Sequence, residues 1–568
     1  MKKIGQNKKY LCIAIFITII YYAIIIWKIP LMLSKDDSDM RAIVSGGYTG
    51  TISPYINYMN ISISAIFSLL YSWCGSINWY GLFEIAVFIV FMIIVLYQVL
   101  KRNSVAKKIY GTAIFILLYT ITLLPLMVEM NFTYVADVLG CGIIFLLVHG
   151  DQKLQGKHAL VCSILIILCF IIRSQVFFSV IPFIAIALIK KIDHKNAKTI
   201  MLYALIISVV IFLLSMVNHF VYNSGKWENF KEFDKHRTWV YDYYGWPEFD
   251  EYEDVYEAYG VKKEFVGLLD TKCYVIDDID VNNLIYDLGE IQKQNNAEIS
   301  PKYKLATVVN NFQNYFFLDE YVVLNFIIIA SYLLAEGLVF YSKHRGFDTI
   351  LLLSVLITYV CLFGYLIFMG RVIVRGVVGI QLFAITLFCS YIFKMVSDSE
   401  NSTENDTYKK SFRIAILLVF MYLSWQSNGN LNNMIKNSET INEKTNSIIE
   451  YCDEHNSSFF IVGNGYYVQS KENNFREKRH LSNRTSLSGF MSTSPLLCEL
   501  IEKYNIKLLE KELLDSENVF YVDCHDTYSA KQKELFLAYY RSRYKIDCEW
   551  KIVYETSDFS ILKPIEDL

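Results

Sequence analysis

The sequence predicts a polytopic α-helical membrane protein with about eleven spans and a small C-terminal α/β domain. Of its 568 residues, 54% are hydrophobic and only 19% are charged, whereas soluble domains average about 45–50% apolar and about 25% charged residues. The apolar excess is concentrated in long runs, and a helix needs roughly 20 such residues to cross a bilayer. Lysine and arginine gather at alternate connections between the runs, which is typical of spans with a fixed orientation.

The first apolar run, 10–33, follows lysines at positions 2, 3, 8 and 9, and no small-residue cleavage site precedes Lys35. It therefore predicts a retained span with a cytoplasmic N-terminus. The chain is rich in Tyr, Ile, Asn and Lys and has only 8 Pro. This composition is typical of bacteria with AT-rich genomes, so we expect a multi-pass protein of the bacterial plasma membrane. A net charge of -3 argues against nucleic acid as a partner.

The later apolar runs extend the series of spans. The predicted ranges are 79–100, 109–127, 133–149, 159–172, 175–189, 199–222, 321–341, 349–369, 376–393 and 412–425. Residues 159–189 fit either one tilted helix or a hairpin with Arg173 at its outer tip. Lysines flank both ends, and this favours the hairpin. With an odd number of spans, the C-terminal domain lies on the same outer face as the segment after the first span.

Three long segments do not read as spans. We predict a transmembrane domain at 1–427, with outer loops at 34–78 and 223–318, and an extracytoplasmic α/β domain at 428–568. The first outer loop contains an apolar helix, 60–73, which should lie in the outer interface. In the C-terminal domain, helical patterns at 431–455 and 530–544 accompany strand patterns at 459–462, 519–522 and 549–561.

An acidic cluster of Asp36, Asp37 and Asp39 directly follows the first span. A carboxylate near the apolar boundary is costly unless it is paired or functional. Desolvation and close like charges also raise its affinity for a proton, as suits a general base. The alternative is an ordinary solvated loop. The three aspartates could share a divalent cation, Mg²⁺ or Mn²⁺, although nothing in the sequence demands a cofactor.

Glycines at 46, 47 and 50, then Ser53-Pro54-Tyr55, the apolar helix and Asn78-Trp79-Tyr80 follow the cluster in that order. This order resembles the GT-C superfamily of integral-membrane glycosyltransferases, and is closest to its poorly characterised bacterial members. The resemblance implies that Asp36 and Asp37 form the catalytic acidic motif, with Asp39 in support. It also implies a sugar donor linked to polyprenyl phosphate. The implied acceptor is a cell-surface polysaccharide, a teichoic-acid-like polymer or a lipid.

Glu129 and Asp137 flank a later outward turn. GT-C enzymes often carry a second acidic residue at the outer start of a later span, and Asp137 is similar in position, so both residues are candidates for a supporting acidic role. The alternative is helix capping by Asn131 or Thr133 beside a solvated Glu129.

Three arginines supply the complementary charge. Arg371 and Arg375 are four residues apart and share a face if their segment is helical, and Arg173 lies at the tip of the predicted hairpin. Guanidinium groups bind phosphate oxygens in bidentate geometry, so all three are candidates for binding the donor phosphate. The alternative is that they snorkel to lipid headgroups.

The large outer loop contains His236, Arg237 and Trp239. Aromatic rings beside charged groups suit sugar binding, because the apolar faces of sugars stack on rings. Together with Tyr55, these residues are candidates for binding the acceptor or a sugar. The alternative is a packed cap whose aromatic side chains form its own core.

The resemblance therefore implies an inverting hexosyl- or pentosyltransferase. Asp36 or Asp37 would deprotonate an acceptor hydroxyl, which attacks the anomeric carbon, while the arginines stabilise the departing lipid phosphate. Two alternatives stay open. A polysaccharide polymerase or ligase generally lacks an acidic motif directly after the first span. A transporter or flippase of lipid-linked sugars should place charged residues at mid-membrane.

Overall fold

The computed structural model describes residues 2–101, 105–150, 156–192, 196–273, 279–339, 345–398, 406–477, 482–487, 489 and 491–567. This part of the chain is mostly helical. Seven helices are long and apolar enough to cross a membrane: Gln6–Lys28, Trp79–Leu100, Phe132–His149, Ala197–Tyr222, Asp319–Val339, Arg345–Phe368 and Val374–Met395. Shorter apolar helices are Ile61–Trp73, Lys108–Thr122, Gly156–Ile172 and Ser174–Ile189. These helices indicate a membrane protein, and the count of eleven spans stays a prediction.

The N-terminal part of the chain forms ten helices. Their bounds are α1 (Lys2–Lys28), α2 (Lys35–Ser45), α3 (Ile61–Trp73), α4 (Trp79–Leu100), α5 (Val105–Thr122), α6 (Leu124–Val128), α7 (Phe132–His149), α8 (Gly156–Ile172), α9 (Ser174–Ile189) and α10 (Ala197–Tyr222). The chain turns at Arg173 between α8 and α9, so the hairpin predicted there is confirmed. The apolar helix predicted at 60–73 is also present, as α3 with Asn60 as its N-cap.

Two short strands fix the start of the first loop against the start of α7. Strand β1 (Met32–Leu33) pairs in parallel with β2 (Glu129–Met130). On its other side, β1 meets a C-terminal segment in antiparallel fashion, because the Leu33 N–H donates to the Lys471 carbonyl at 2.7 Å. The Arg41 guanidinium, one turn and a half along α2, donates to the carbonyls of Ser470 and Glu472, both at 2.7 Å. The 470–473 segment, from the far end of the chain, thus holds the residues that precede and form α2.

The predicted loop at 223–318 is a helical cap. It contains α11 (Lys226–Arg237), a π-helical segment (Thr238–Tyr243), a 3₁₀ turn (Phe249–Glu251), α12 (Glu253–Ala258), α13 (Gly267–Asp270), α14 (Val281–Glu298) and α15 (Pro301–Phe316). Most of its buried apolar side chains belong to a hydrophobic cluster that also contains Phe459, Ile461 and Tyr521 of the C-terminal sheet. Phe265 of the cap, for example, meets Tyr539 edge to face with ring centroids 5.3 Å apart.

Four further helices connect the cap to the C-terminal domain: α16 (Asp319–Val339), α17 (Arg345–Phe368), α18 (Val374–Asp398) and α19 (Asp406–Glu454). Helix α18 packs against both α7 and α16. Residue 428, where the sequence places the domain boundary, lies inside α19.

The C-terminal domain contains a five-stranded sheet. Its elements are β3 (Phe459–Val462), β4 (Arg484–Thr485), α20 (Pro495–Lys503), α21 (Leu509–Asp515), β5 (Val519–Asp523), α22 (Thr527–Arg543), β6 (Cys548–Glu555) and β7 (Ser560–Glu566). The strand order is β4-β3-β5-β7-β6, with β4, β3 and β5 parallel and β7 antiparallel to both of its neighbours. The predicted strand at 549–561 is therefore corrected to a hairpin, because the chain reverses between β6 and β7.

Candidate functional site

A cavity of about 1250 Å³ lies where the first loop, α7, the α8–α9 turn, α10, α11 and α18 meet. This volume is somewhat above the usual range for small-molecule sites, which is about 300–1,000 Å³. Among the described residues, its lining carries seven lysines and arginines but four carboxylates. The basic residues are Lys35, Arg173, Lys231, Arg237, Lys272, Arg371 and Arg375, and the acidic ones are Asp36, Glu129, Asp234 and Asp242. A cavity with this excess of positive charge suits an anionic ligand.

Asp36 is the predicted catalytic residue that faces the cavity. It lies in the first turn of α2, and its carboxylate is 24% exposed. The Arg375 guanidinium, at the start of α18, donates to Asp36 Oδ2 at 3.0 Å. This ion pair joins the N-terminal acidic cluster to one of the predicted phosphate-binding arginines, which is 339 residues away in the chain.

Asp37 is absent from the described lining of the cavity, and its side chain is 0% exposed. Oδ2 accepts hydrogen bonds from the Ser34 hydroxyl at 2.6 Å and the Asn131 amide at 2.9 Å. Oδ1 accepts from the Tyr80 hydroxyl at 2.6 Å and the Phe132 N–H at 2.9 Å. Burial raises the pKa of Asp37 to about 6, although the hydrogen bonds from Ser34 and Tyr80 oppose that rise. Because four donors bind this buried carboxylate, Asp37 holds the first turn of α2 in place and so positions Asp36.

Asp39 lies further along α2, outside the described lining of the cavity. Burial raises its pKa to about 7, and the nearby Lys35 ammonium lowers it. Within the described residues, no group of three or more His, Cys, Asp or Glu converges as a metal site would require. The shared divalent cation considered for the three aspartates therefore has no preformed set of ligands in this part of the chain.

The two residues of the second predicted acidic pair differ in exposure. Glu129, in β2, is exposed and lines the cavity. Asp137 is buried in α7 at 1% exposure, and its Oδ2 has no hydrogen-bond partner among the described residues. A Cβ placed on Gly379 of α18 would lie 2.2 Å from Asp137 Oδ1, so the carboxylate rests directly on the backbone of that helix. Asn131 is the N-cap of α7 and accepts from the Thr133 N–H at 2.8 Å, as the capping alternative expected.

All three predicted phosphate-binding arginines line the cavity. The Arg371 guanidinium donates to Asp242 at 3.1 Å, and its Nε is buried with no hydrogen-bond partner in the described part of the chain. Arg173 lies over the ring of Phe132, with 5.0 Å from the guanidinium carbon to the ring centroid, and over that of Tyr58 at 5.7 Å. Among the described residues, Arg173 has no ion pair within 4.0 Å. A guanidinium that lies against aromatic rings and forms no ion pair has N–H donors available to an oxyanion.

Of the four predicted sugar-binding residues, only Arg237 lines the cavity, where it pairs with Asp234 at 2.6 Å. Tyr55 stacks on Trp227, with ring centroids 4.5 Å apart. His236 is fully buried, its ring bonded to the Glu232 carbonyl and to Glu290.

Trp239 completes this group, and its ring packs edge to face against the His236 ring at 4.8 Å between centroids. His236 and Trp239 thus pack against each other inside the cap, as the alternative of a packed cap expected, and Tyr55 packs the first loop against α11. All three residues are absent from the described lining of the cavity.

Several lining residues were not singled out from the sequence. Lys35, Lys272 and Tyr466 come from the start of α2, the cap and the loop after β3. The Tyr466 ring is 50% exposed and lies 5.7 Å from the Lys35 ammonium. No local motif marks these positions, because the fold alone brings the three segments together. The only available signal for Lys35 was its place inside the acidic cluster.

One wall of the cavity is apolar. Its side chains come from the α8–α9 turn, α10, α6, α18 and α19: Phe170, Ile171, Ile172, Phe178, Ile211, Pro125, Leu126, Ile373, Val374 and Met434. Phe178 lines the cavity and is 61% exposed, so it offers an accessible apolar surface.

Comparison of the chain with protein-family models, with curated proteins and with solved structures found no significant match.

Proposed function

We propose that this protein is a GT-C-type glycosyltransferase of the bacterial plasma membrane, acting on the extracytoplasmic face. It would transfer a hexose or pentose from a polyprenyl-phosphate donor to a cell-surface glycan or lipid acceptor. The observation that carries this proposal is the ion pair between Asp36 and Arg375 inside a large cationic cavity with one apolar wall. Such a cavity offers a base, ligands for a phosphate and a surface for a lipid chain.

The proposed membrane arrangement has eleven spans and a cytoplasmic N-terminus. Its candidates are α1, α4, α5, α7, α8, α9, α10, α16, α17, α18 and the first part of α19. The helix ends that meet at the cavity belong to one face. Lysines at the other ends, such as Lys101 after α4, Lys157 in α8 and Lys190 after α9, support a cytoplasmic position for the opposite face.

The apolar wall and the arginines suit the two parts of a lipid-linked donor. A prenyl chain would enter beside Phe178 and lie on α8, α9 and α10. The phosphate would then lie near Arg173, Arg371 and Arg375, which are close enough that the charges of Arg375 and Arg371 both act on Arg173. Guanidinium groups form short, charge-assisted hydrogen bonds with phosphate oxygens, so this group would also fix the orientation of the sugar.

Asp36 would act as the general base. Its carboxylate takes the proton of an acceptor hydroxyl as that oxygen bonds to the anomeric carbon, and the bond from this carbon to the phosphate oxygen breaks. The lipid phosphate leaves with the bonding electron pair, and the arginines stabilise its developing charge. Arg375 links the two events, because one of its N–H groups holds Asp36 while its other donors can reach the leaving group.

The test compares Asp36→Asn with Asp250→Asn in the full chain, expressed in a strain that lacks its own copy. Asp250 is an exposed carboxylate of the cap, paired with Lys263 at 2.6 Å, and serves as the matched control. We expect Asp36→Asn to abolish a surface glycan modification detected by mass spectrometry and to accumulate the undischarged sugar lipid in the outer leaflet. Unchanged glycans in Asp36→Asn would overturn the proposal. Accumulation of the sugar lipid in the inner leaflet would instead indicate a transporter.

A further inference from the structure

Six of the seven positive charges that line the cavity form two groups, and Lys231, which donates to Asn57, is counted in neither. Arg173, Arg371 and Arg375 make up the first, which borders the apolar wall. Lys35, Arg237 and Lys272 make up the second, which we call the cap-side cation group. The negative charge of Asp36 acts on Arg173 and Arg375 of the first group and on Lys35 and Lys272 of the second, so it lies close to both groups.

The cap-side cation group contains two lysines that interact with carboxylates only at longer range: Asp39 and Asp36 act on Lys35, and Asp242 and Asp36 act on Lys272. Arg237 pairs with Asp234 at 2.6 Å. In the part of the chain that the structure describes, the ammonium groups of Lys35 and Lys272 have no carboxylate within 4.0 Å. Burial lowers the pKa of Lys35, and the charges of Lys272 and Arg237 lower it further, against the opposing effect of Asp39 and Asp36. A bound anion would relieve this desolvation and repulsion.

Resting on the glycosyltransferase proposal, we infer that the cap-side cation group binds a second phosphate, distinct from the phosphate of the donor. Its position favours a phosphate that belongs to the acceptor. Lys35 lies beside the exposed ring of Tyr466 from the C-terminal domain, and a ring next to a cation suits a phosphorylated sugar better than a neutral one. The acceptor would then be a glycan with phosphodiester groups. The same chemistry could come from a diphosphate donor, and the experiment separates these sources.

The experiment measures binding and does not depend on sugar transfer. The full chain in lipid nanodiscs is titrated with a synthetic glycerol-phosphate oligomer, with a neutral oligosaccharide of similar length, and with prenyl monophosphate and prenyl diphosphate. The variants are Lys35→Gln with Lys272→Gln, the charge-conserving Lys35→Arg with Lys272→Arg, and Lys262→Gln as control. Lys262 is an exposed lysine of the same cap.

We expect the double glutamine variant to bind the glycerol-phosphate oligomer at least about ten-fold more weakly than the wild type, since it loses two charge-assisted hydrogen bonds to the phosphate. The double arginine variant should restore binding, which excludes a folding defect, and Lys262→Gln should match the wild type. If the loss affects prenyl diphosphate while monophosphate and oligomer bind normally, the second phosphate belongs to the donor. Wild-type affinity for every probe in the double glutamine variant would overturn the inference. The binding experiment does not depend on turnover, so the two proposals can fail separately. If the double glutamine variant loses oligomer binding but Asp36→Asn keeps normal glycans, only the proposed function is refuted.

Discussion

The hydroxyl of Tyr80 donates a 2.6 Å hydrogen bond to Oδ1 of Asp37, and so ties the first turn of α4 to the first turn of α2. Ser34, Asn131 and Phe132 donate to the same carboxylate. The buried side chain of Asp37 thus fixes the relative positions of the first loop, α4 and α7. Its neighbour Asp36 is positioned by these contacts.

The first prediction concerns the stability that this support provides. Asp37→Asn replaces one acceptor oxygen by an amide that faces donors, so we expect a loss of about 1–3 kcal/mol in unfolding free energy. Tyr80→Phe removes one donor and should also destabilise. The midpoint of thermal unfolding in detergent, with Asp250→Asn as the surface control, measures both effects. A midpoint equal to that of the wild type in Asp37→Asn would contradict the supporting role.

The second prediction is a pH dependence. Burial raises the pKa of Asp39 to about 7 in the folded protein, above its unfolded value of 3.8. Between these values the folded state binds more protons than the unfolded state, so the stability that Asp39 provides is present below about pH 3.8 and is lost as the pH rises through about 7. Asp39→Asn, which stays neutral, should therefore raise the unfolding midpoint relative to the wild type more at pH 8 than at pH 5. Equal differences at both pH values would refute the assignment.

The third prediction tests the close contact between α7 and α18. Gly379→Ala would place a Cβ 2.2 Å from Asp137 Oδ1, and we expect overpacking to cost about 1–3 kcal/mol. Gly337→Ala in α16 is the matched control, because no atom lies within 4 Å of its added Cβ. It should be neutral or slightly stabilising, since Ala favours a helix by about 0.5–1 kcal/mol over Gly. The comparison uses thermal unfolding, and equal midpoints for the two variants would count against the contact.

The fourth prediction separates charge from geometry at Arg173. Arg173→Lys keeps the positive charge but loses the planar group that lies over Phe132 and Tyr58. We expect kcat/KM for the lipid donor to fall about ten-fold, and further in Arg173→Gln. Arg541→Lys, on an exposed ion pair with Asp547, should leave the rate unchanged. Wild-type kinetics in Arg173→Lys would mean that a point charge is sufficient.

Much of the helical framework could be predicted because it depends on local patterns. Lysines at both flanks of residues 159–189 indicated the turn at Arg173, and the apolar run at 459–462 indicated β3. The turn between β6 and β7 was missed, although Thr556, Ser557 and Asp558 are residues that favour turns. The alternation of apolar and polar residues continues on both sides of this turn, so the sequence was interpreted as one strand.

The site itself was predicted only in part. Asp36 and Asp37 are indistinguishable in sequence, but successive residues of a helix point about 100° apart. The start of α2 therefore turns Asp36 toward the cavity and Asp37 toward Tyr80. Likewise, the aromatic cluster around His236 has the same composition whether it binds sugars or fills a core, and only packing separates the two. Residues such as Lys272 and Tyr466 depend on tertiary contacts that no local pattern records.

The backbone pairing between Leu33 and Lys471 has a consequence for when the site can assemble during synthesis. During synthesis, the acidic start of the first loop is made early. The 470–473 segment that contacts it is made only when more than four fifths of the chain already exists. A polypeptide truncated before residue 470 would keep all seven described helices that are long and apolar enough to cross a membrane, and yet would lose the contacts from residues 470–473 to β1 and α2. The C-terminal domain is therefore needed to complete the site.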